Sequence, residues 1–147
     1  MRSRFYVDEE FPKLRGRFGF APEGLRLVIA KSALRRAGGC DFLGCYARDS
    51  RTIILPRRAG TRRRLITLLH EIAHAIQHRE GRSSSDCGSY YENEDEASNW
   101  AVYQYGRIYA RRLGPPPADA LSIATAEAHE AAWPGLAAAL ACVPSGV

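Results

Sequence analysis

The 147 residues carry an ordinary apolar share and a formal net charge of +5, which suits one globular domain with its own core. No run is long and apolar enough to span a membrane, and residues 1–20 are charged throughout, without the apolar stretch of an export signal. The expectation is therefore a cytoplasmic, non-membrane protein. Arginine supplies most of the positive charge, with Lys13 and Lys31 as the only lysines. Such a surplus fits nucleic acid or an acidic partner, and equally fits codon composition alone. Cys40, Cys45, Cys87 and Cys142 form no C-x-x-C pair, which reads as thiols in a reducing compartment.

Residues 1–24 mix Phe5, Tyr6, Phe11, Phe18 and Phe20 with charges, Pro and Gly, a pattern open to a short helix or an N-terminal arm. Residues 25–30 read as a strand. Gly38-Gly39 breaks the chain. Residues 42–47 and 52–55 then read as two strands joined through Arg48-Asp49-Ser50-Arg51, a hairpin signal closed by Pro56. Thr61 can cap a helix over 61–78. Arg62, Arg63 and Arg64 fall in its first turn, where the helix dipole disfavours cations. A solvated basic rim is the plain reading of that cluster. The sharper one, joined by Arg57 and Arg58, is contact with phosphates or an acidic substrate. A second long helix is expected over 93–113, closed by Gly114 and a proline triplet. An Ala-rich third helix over 118–133 and a short apolar one follow. The tail over 114–147 is too short and apolar to stand alone, so a single domain over 1–147 is expected, with this tail packed on the core.

The helix over 61–78 holds His70-Glu71-Ile72-Ala73-His74. Residues four apart share one helical face, so both imidazoles can reach one metal ion. Glu71 is rotated about 100° from His70, a direction that suits a base acting beside the metal rather than a ligand. Leu65, Leu68, Leu69, Ile72 and Ile76 recur at helical spacing, which marks a buried helix. Burying two His and a Glu is costly unless something compensates for them. The plain alternative is a core helix whose histidines bond to nearby carbonyls.

Catalytic zinc normally takes three protein ligands and leaves one position open. Downstream candidates are His78, Asp86, Cys87, Glu92, Glu94, Asp95, Glu96 and His129. His78 lies too far along the helix axis and better suits the helix C-terminus, where a partly charged imidazole is favourable. Glu94 shares a helical face with Ala97, Ala101 and Tyr105, and two alanines allow close helix approach. Glu96 shares its face with the bulkier Trp100 and Tyr103. The face argument favours Glu94.

The spacing from His70-Glu71-Ile72-Ala73-His74 to Glu94 resembles that of gluzincins. Glu94-Asp95-Glu96-Ala97-Ser98-Asn99-Trp100-Ala101 resembles the E-x-E-A-N-x-F-A segment of the ImmA/IrrE family of metallopeptidases. Gly44-Cys45-Tyr46 and Thr52-Ile53-Ile54-Leu55 resemble the hairpin of the same small zincins. Ser98 stands where that family usually has Asn, and Trp100 where it has Phe. The resemblance covers roughly residues 40–105. It implies an α+β, zincin-like fold with a short twisted sheet on the metal helix and a second helix carrying the Glu ligand. It also implies a zinc endopeptidase in which His70, His74 and Glu94 hold Zn2+ and Glu71 is the catalytic base. Several members cleave repressors, so the substrate expected is a protein or peptide, with a repressor or regulator as one class.

Tyr90, Tyr91, Tyr103 and Tyr105 are candidates for an oxyanion donor, among which the sequence does not choose. Two other readings compete. One is a nucleic-acid-associated protease resembling SprT-like enzymes, with Arg57, Arg58, Arg62, Arg63 and Arg64 on phosphates, although no suitably placed third histidine follows His74. The other is a non-catalytic zinc-binding interaction protein, against which the intact Glu71 argues.

Overall fold

The computed structural model describes residues 5–30, 34–35, 41–42, 44–56, 61–82, 87–118 and 120. Cys40, Arg57, Arg58, Asp86, His129, Cys142 and the helices expected after Ala118 lie outside them, as do the side chains of Cys87, Tyr90 and Tyr91.

Near the N-terminus the helical alternative is the one that forms. Helix α1 spans Val7–Arg17, with Asp8, Glu9 and Glu10 in its first turn and Arg15 and Arg17 in its last. That charge order complements the helix dipole. Pro12 sits inside it, at the cost of one backbone hydrogen bond. The helix tolerates this because Val7, Phe11 and Leu14 form one buried stripe against the core. The stripe also buries Glu10, which accepts a hydrogen bond from the Tyr109 hydroxyl at 2.8 Å.

A single 3-10 turn, Pro22–Gly24, leads into β1, Arg26–Ala30. β4, Cys45–Ala47, and β5, Thr52–Pro56, complete a three-stranded sheet of order β1-β5-β4. β5 runs parallel to β1, with Arg26 opposite Thr52, and antiparallel to β4, with Cys45 opposite Ile54. The expected hairpin is therefore present. Its first strand is shorter than expected, because the segment over 42–47 divides: β3, Asp41–Phe42, pairs with β2, Leu34–Arg35, in a separate two-stranded ladder. Gly44 marks the division. A Cβ there would lie 2.9 Å from both Leu55 Cδ2 and Thr67 Cγ2, so the chain enters β4 pressed against the helix behind the sheet.

That helix, α2, spans Thr61–Arg79 and is buried at nearly every position from Leu65 to Ala75. It can be apolar almost all round because it is covered on several sides. β4 and β5 lie on one side, α1 on another, and α3, Cys87–Ile108, on a third. α2 ends in a Schellman turn. Arg82 N–H donates to the Gln77 carbonyl and Gly81 N–H to the His78 carbonyl, with Gly81 at φ +80°. A side chain at that left-handed position would be strained.

α3 begins before the expected residue 93, because nothing between Cys87 and Glu92 stops a helix; Gly88 falls in the first turn. Ala97, Ala101 and Tyr105 are fully buried along its inner face. The helix breaks at Tyr109, and α4, Ala110–Leu113, ends at Gly114 with φ +94°. Among the described residues, no helix is long and apolar enough to cross a membrane. The fold is a small α+β arrangement compatible with a zincin-like domain.

Candidate metal centre

His70 and His74 lie one turn apart on α2 and present Nε2 to a common point, the two atoms being 3.0 Å apart. α3 delivers Glu94 to the same point. Its Oε1 lies 3.0 Å from His70 Nε2 and its Oε2 2.8 Å from His74 Nε2. One ligand atom from each of these three residues lies within 4.8 Å of the others. α3 packs on α2 with the small side chains of Ala97 and Ala101 fully buried.

Two residues further along α3, Glu96 is turned by about 200° and does not join the cluster. It accepts a hydrogen bond from Gln77 Nε2 at 2.8 Å and pairs with Arg82. His78 is taken up elsewhere too, with Nδ1 2.8 Å from the Tyr46 hydroxyl on β4. His78 sits in the last turn of α2, as expected, but burial, then the nearby Arg48 and Arg51, lower its pKa instead of favouring a charge there.

Glu71 is buried beside the cluster. Its Oε2 would lie 3.6 Å from a Cβ on Gly44, so this carboxylate faces the start of β4. Burial raises its pKa, and Glu94 adds to the rise, while His70 and His74 oppose it. Burial pulls His74 the other way, but the Glu94 carboxylate outweighs it and lifts His74 to about 9. Glu94 is held well below the usual carboxylate range. Burial opposes this, and the two imidazoles overcome it.

Two imidazole nitrogens and a carboxylate, converging from buried helices, suit a borderline divalent cation such as zinc. The donor set fits a metal ion without fixing which one. The oxyanion candidates fare differently. Tyr105 is buried, with its hydroxyl donating to the Gly114 carbonyl at 3.0 Å, and Tyr103 is 60% exposed beside Arg107. Of the arginines at the start of α2, Arg62 and Arg63 are exposed while Arg64 is half-buried. The first turn is thus not uniformly solvated. Arg62 also donates to the Pro115 carbonyl at 3.0 Å.

Sequence reasoning missed the groups that support the histidines. Gln77 Oε1 lies 2.8 Å from His74 Nδ1, and Ser98 Oγ 3.3 Å from His70 Nδ1. Helical spacing held a trace of both, since Gln77 falls three residues after His74 and Ser98 four after Glu94.

A helix-borne histidine pair met by a glutamate from the next helix defines a metallopeptidase-like domain. The chain matches the family model of the IrrE N-terminal-like domain, a peptidase family, over residues 41–132, and it belongs to that family. No curated protein and no solved structure matches it.

Proposed function

We propose that this protein is a zinc-dependent endopeptidase that hydrolyses peptide bonds of a protein substrate. The observation that carries this reading is the convergence of His70, His74 and Glu94, with Glu71 buried next to them and outside the cluster. His70, His74 and Glu94 would hold the ion, which when bound activates water and polarises a carbonyl as a Lewis acid. Glu71 takes the proton of the attacking water and passes it to the leaving amine.

The substrate would lie along β4. This strand pairs with β5 on one side, and among the described residues its other edge carries no ladder. An extended peptide can add to such an edge through main-chain hydrogen bonds. The close approach at Gly44 brings that peptide past the Glu71 carboxylate. Through the ImmA/IrrE resemblance, a repressor or another regulatory protein is the substrate class we favour.

The test is to incubate native cell proteins with the zinc-loaded protein and map new N-termini, alongside Glu71→Gln. Cleavage by the wild type alone is expected. No new termini, or the same termini from both proteins, would overturn the reading.

A further inference from the structure

We propose that Gln77 is a positioning residue for the metal centre, holding His74 as the imidazole protonated on Nδ1 and itself held by Glu96 and the Asn93 carbonyl. The inference rests on the metallopeptidase reading above and extends it to residues outside the cluster.

The two ends of a glutamine amide are distinguished by their partners. Gln77 Nε2 lies 2.9 Å from the Asn93 carbonyl oxygen and 2.8 Å from Glu96 Oε1. A backbone carbonyl and a carboxylate only accept, so the amide NH2 must face them with both of its hydrogens used. The amide oxygen is then the atom 2.8 Å from His74 Nδ1. That oxygen only accepts, so Nδ1 carries the hydrogen. With Nδ1 keeping that hydrogen, Nε2 is the nitrogen left to give up its own, now shared with Glu94 Oε2 at 2.8 Å, and to offer a lone pair to a metal. His74 is therefore set up as a ligand by a contact on its far side.

At His70 the corresponding partner is a hydroxyl: Ser98 Oγ lies 3.3 Å from its Nδ1, and a hydroxyl can donate or accept.

The clamp also ties α2 to α3. Asn93 and Glu96 flank Glu94 on α3, so the contacts that orient His74 fix the helix carrying the third donor. Gln77 is 5% exposed, so its three contacts are made away from bulk water, and removing the amide costs more than losing a surface hydrogen bond. At the outer end, the Schellman turn at Gly81 brings Arg82 back to pair with Glu96. The two glutamates of the Glu94-Asp95-Glu96 run thus divide the work: the first faces the cluster and the second holds the residue that orients it.

Zinc alone is the probe. Its affinity is measured by chelator competition without substrate, and His74 is observed by NMR in the zinc-loaded, 15N-histidine-labelled protein. The wild type is expected to show a protected Nδ1–H on His74. Gln77→Leu should lower zinc affinity about 10- to 100-fold, the usual effect of removing such a partner, and expose that proton to exchange. Gln77→Glu combined with Glu96→Gln keeps an acceptor for the His74 Nδ1–H but sets an oxygen against the Asn93 carbonyl, so it should recover only part of the affinity. If Gln77→Leu does not fold, Glu96→Ala removes one anchor from a half-exposed position and should weaken zinc less.

A Gln77→Leu protein that is less stable yet keeps wild-type zinc affinity and a protected Nδ1–H would overturn the proposal, leaving Gln77 a mere helix tie. Coordination of zinc through His74 Nδ1 would also overturn it. A wild type that binds no zinc would sink this proposal and the peptidase reading together. Zinc binding with the clamp intact but no proteolysis would sink only the peptidase reading.

Discussion

Glu94 on α3 and His74 on α2 meet with Oε2 and Nε2 2.8 Å apart. Neither helix holds a complete donor set, and the pairing exists because α3 packs on α2, with Ala97 and Ala101 fully buried on its inner face. Glu94→Gln should therefore reduce zinc affinity sharply, because an amide brings no charge to offset the cation. It should also lower the melting temperature in excess zinc, since binding to the native state stabilises it. Glu96→Gln keeps an oxygen facing the Gln77 amide and should stay close to wild type in both measurements. Calorimetric zinc titration of the two variants checks this, and a larger loss in Glu96→Gln would reverse the assignment.

Glu71→Gln should keep zinc and lose peptidase turnover by roughly 10²–10⁴, the usual contribution of a general base. Zinc content and cleavage rate are measured on one preparation. Loss of the metal would make Glu71 a ligand, and unchanged turnover would remove it from the chemistry.

Gly44→Ala tests the contact between the start of β4 and α2. The new Cβ would lie 2.9 Å from Leu55 Cδ2 and Thr67 Cγ2, an overpacking worth about 1–3 kcal/mol of destabilisation in urea unfolding. Adding Thr67→Ser removes one of the opposing methyls and should recover part of that loss. Wild-type stability in Gly44→Ala would show that the strand can shift away from the helix.

His78 provides a pH test with a definite sign. Its pKa is lowered in the folded protein, so below about 6.5 the unfolded chain takes up a proton that the folded one resists. Stability should therefore fall as the pH drops through that value and on towards the lower folded pKa. His78→Gln should lack this component, seen as a smaller difference in melting temperature between pH 7 and pH 5.5. An identical pH dependence in both proteins would mean that His78 charges freely in the fold.

Arg62 and Arg63 are the exposed members of the basic turn, which makes the nucleic-acid alternative testable without disturbing the core. A site that needs no nucleic acid should show no binding to a DNA oligonucleotide at low salt above that of Arg62→Gln/Arg63→Gln. Salt-dependent binding whose log–log slope flattens by about two in the double variant would instead favour phosphate contact.

The sequence by itself determined what is local. Helical spacing placed His70 and His74 on one face and left Glu71 off it, and the apolar residues around them required a buried helix. The strand-turn-strand pattern over 42–55 yielded the β4–β5 hairpin, although the division of the first strand at Gly44 depends on contact with Thr67 and Leu55, distant in sequence. That Glu94 and not Glu96 faces His70 and His74 was also legible, because the size of side chains on a helical face limits how near its neighbour can come. What only the tertiary structure decided are the relationships between elements. Gln77 reads in sequence as one more polar residue near a helix end, and its place behind His74 emerges when Asn93 and Glu96 arrive on another helix. His78 reads as a charge-friendly terminal histidine until burial beside Tyr46 and the nearby Arg48 and Arg51 of the hairpin lower its pKa. Hydrogen bonds and desolvation depend on what packs opposite a residue, and periodicity records only which way that residue faces.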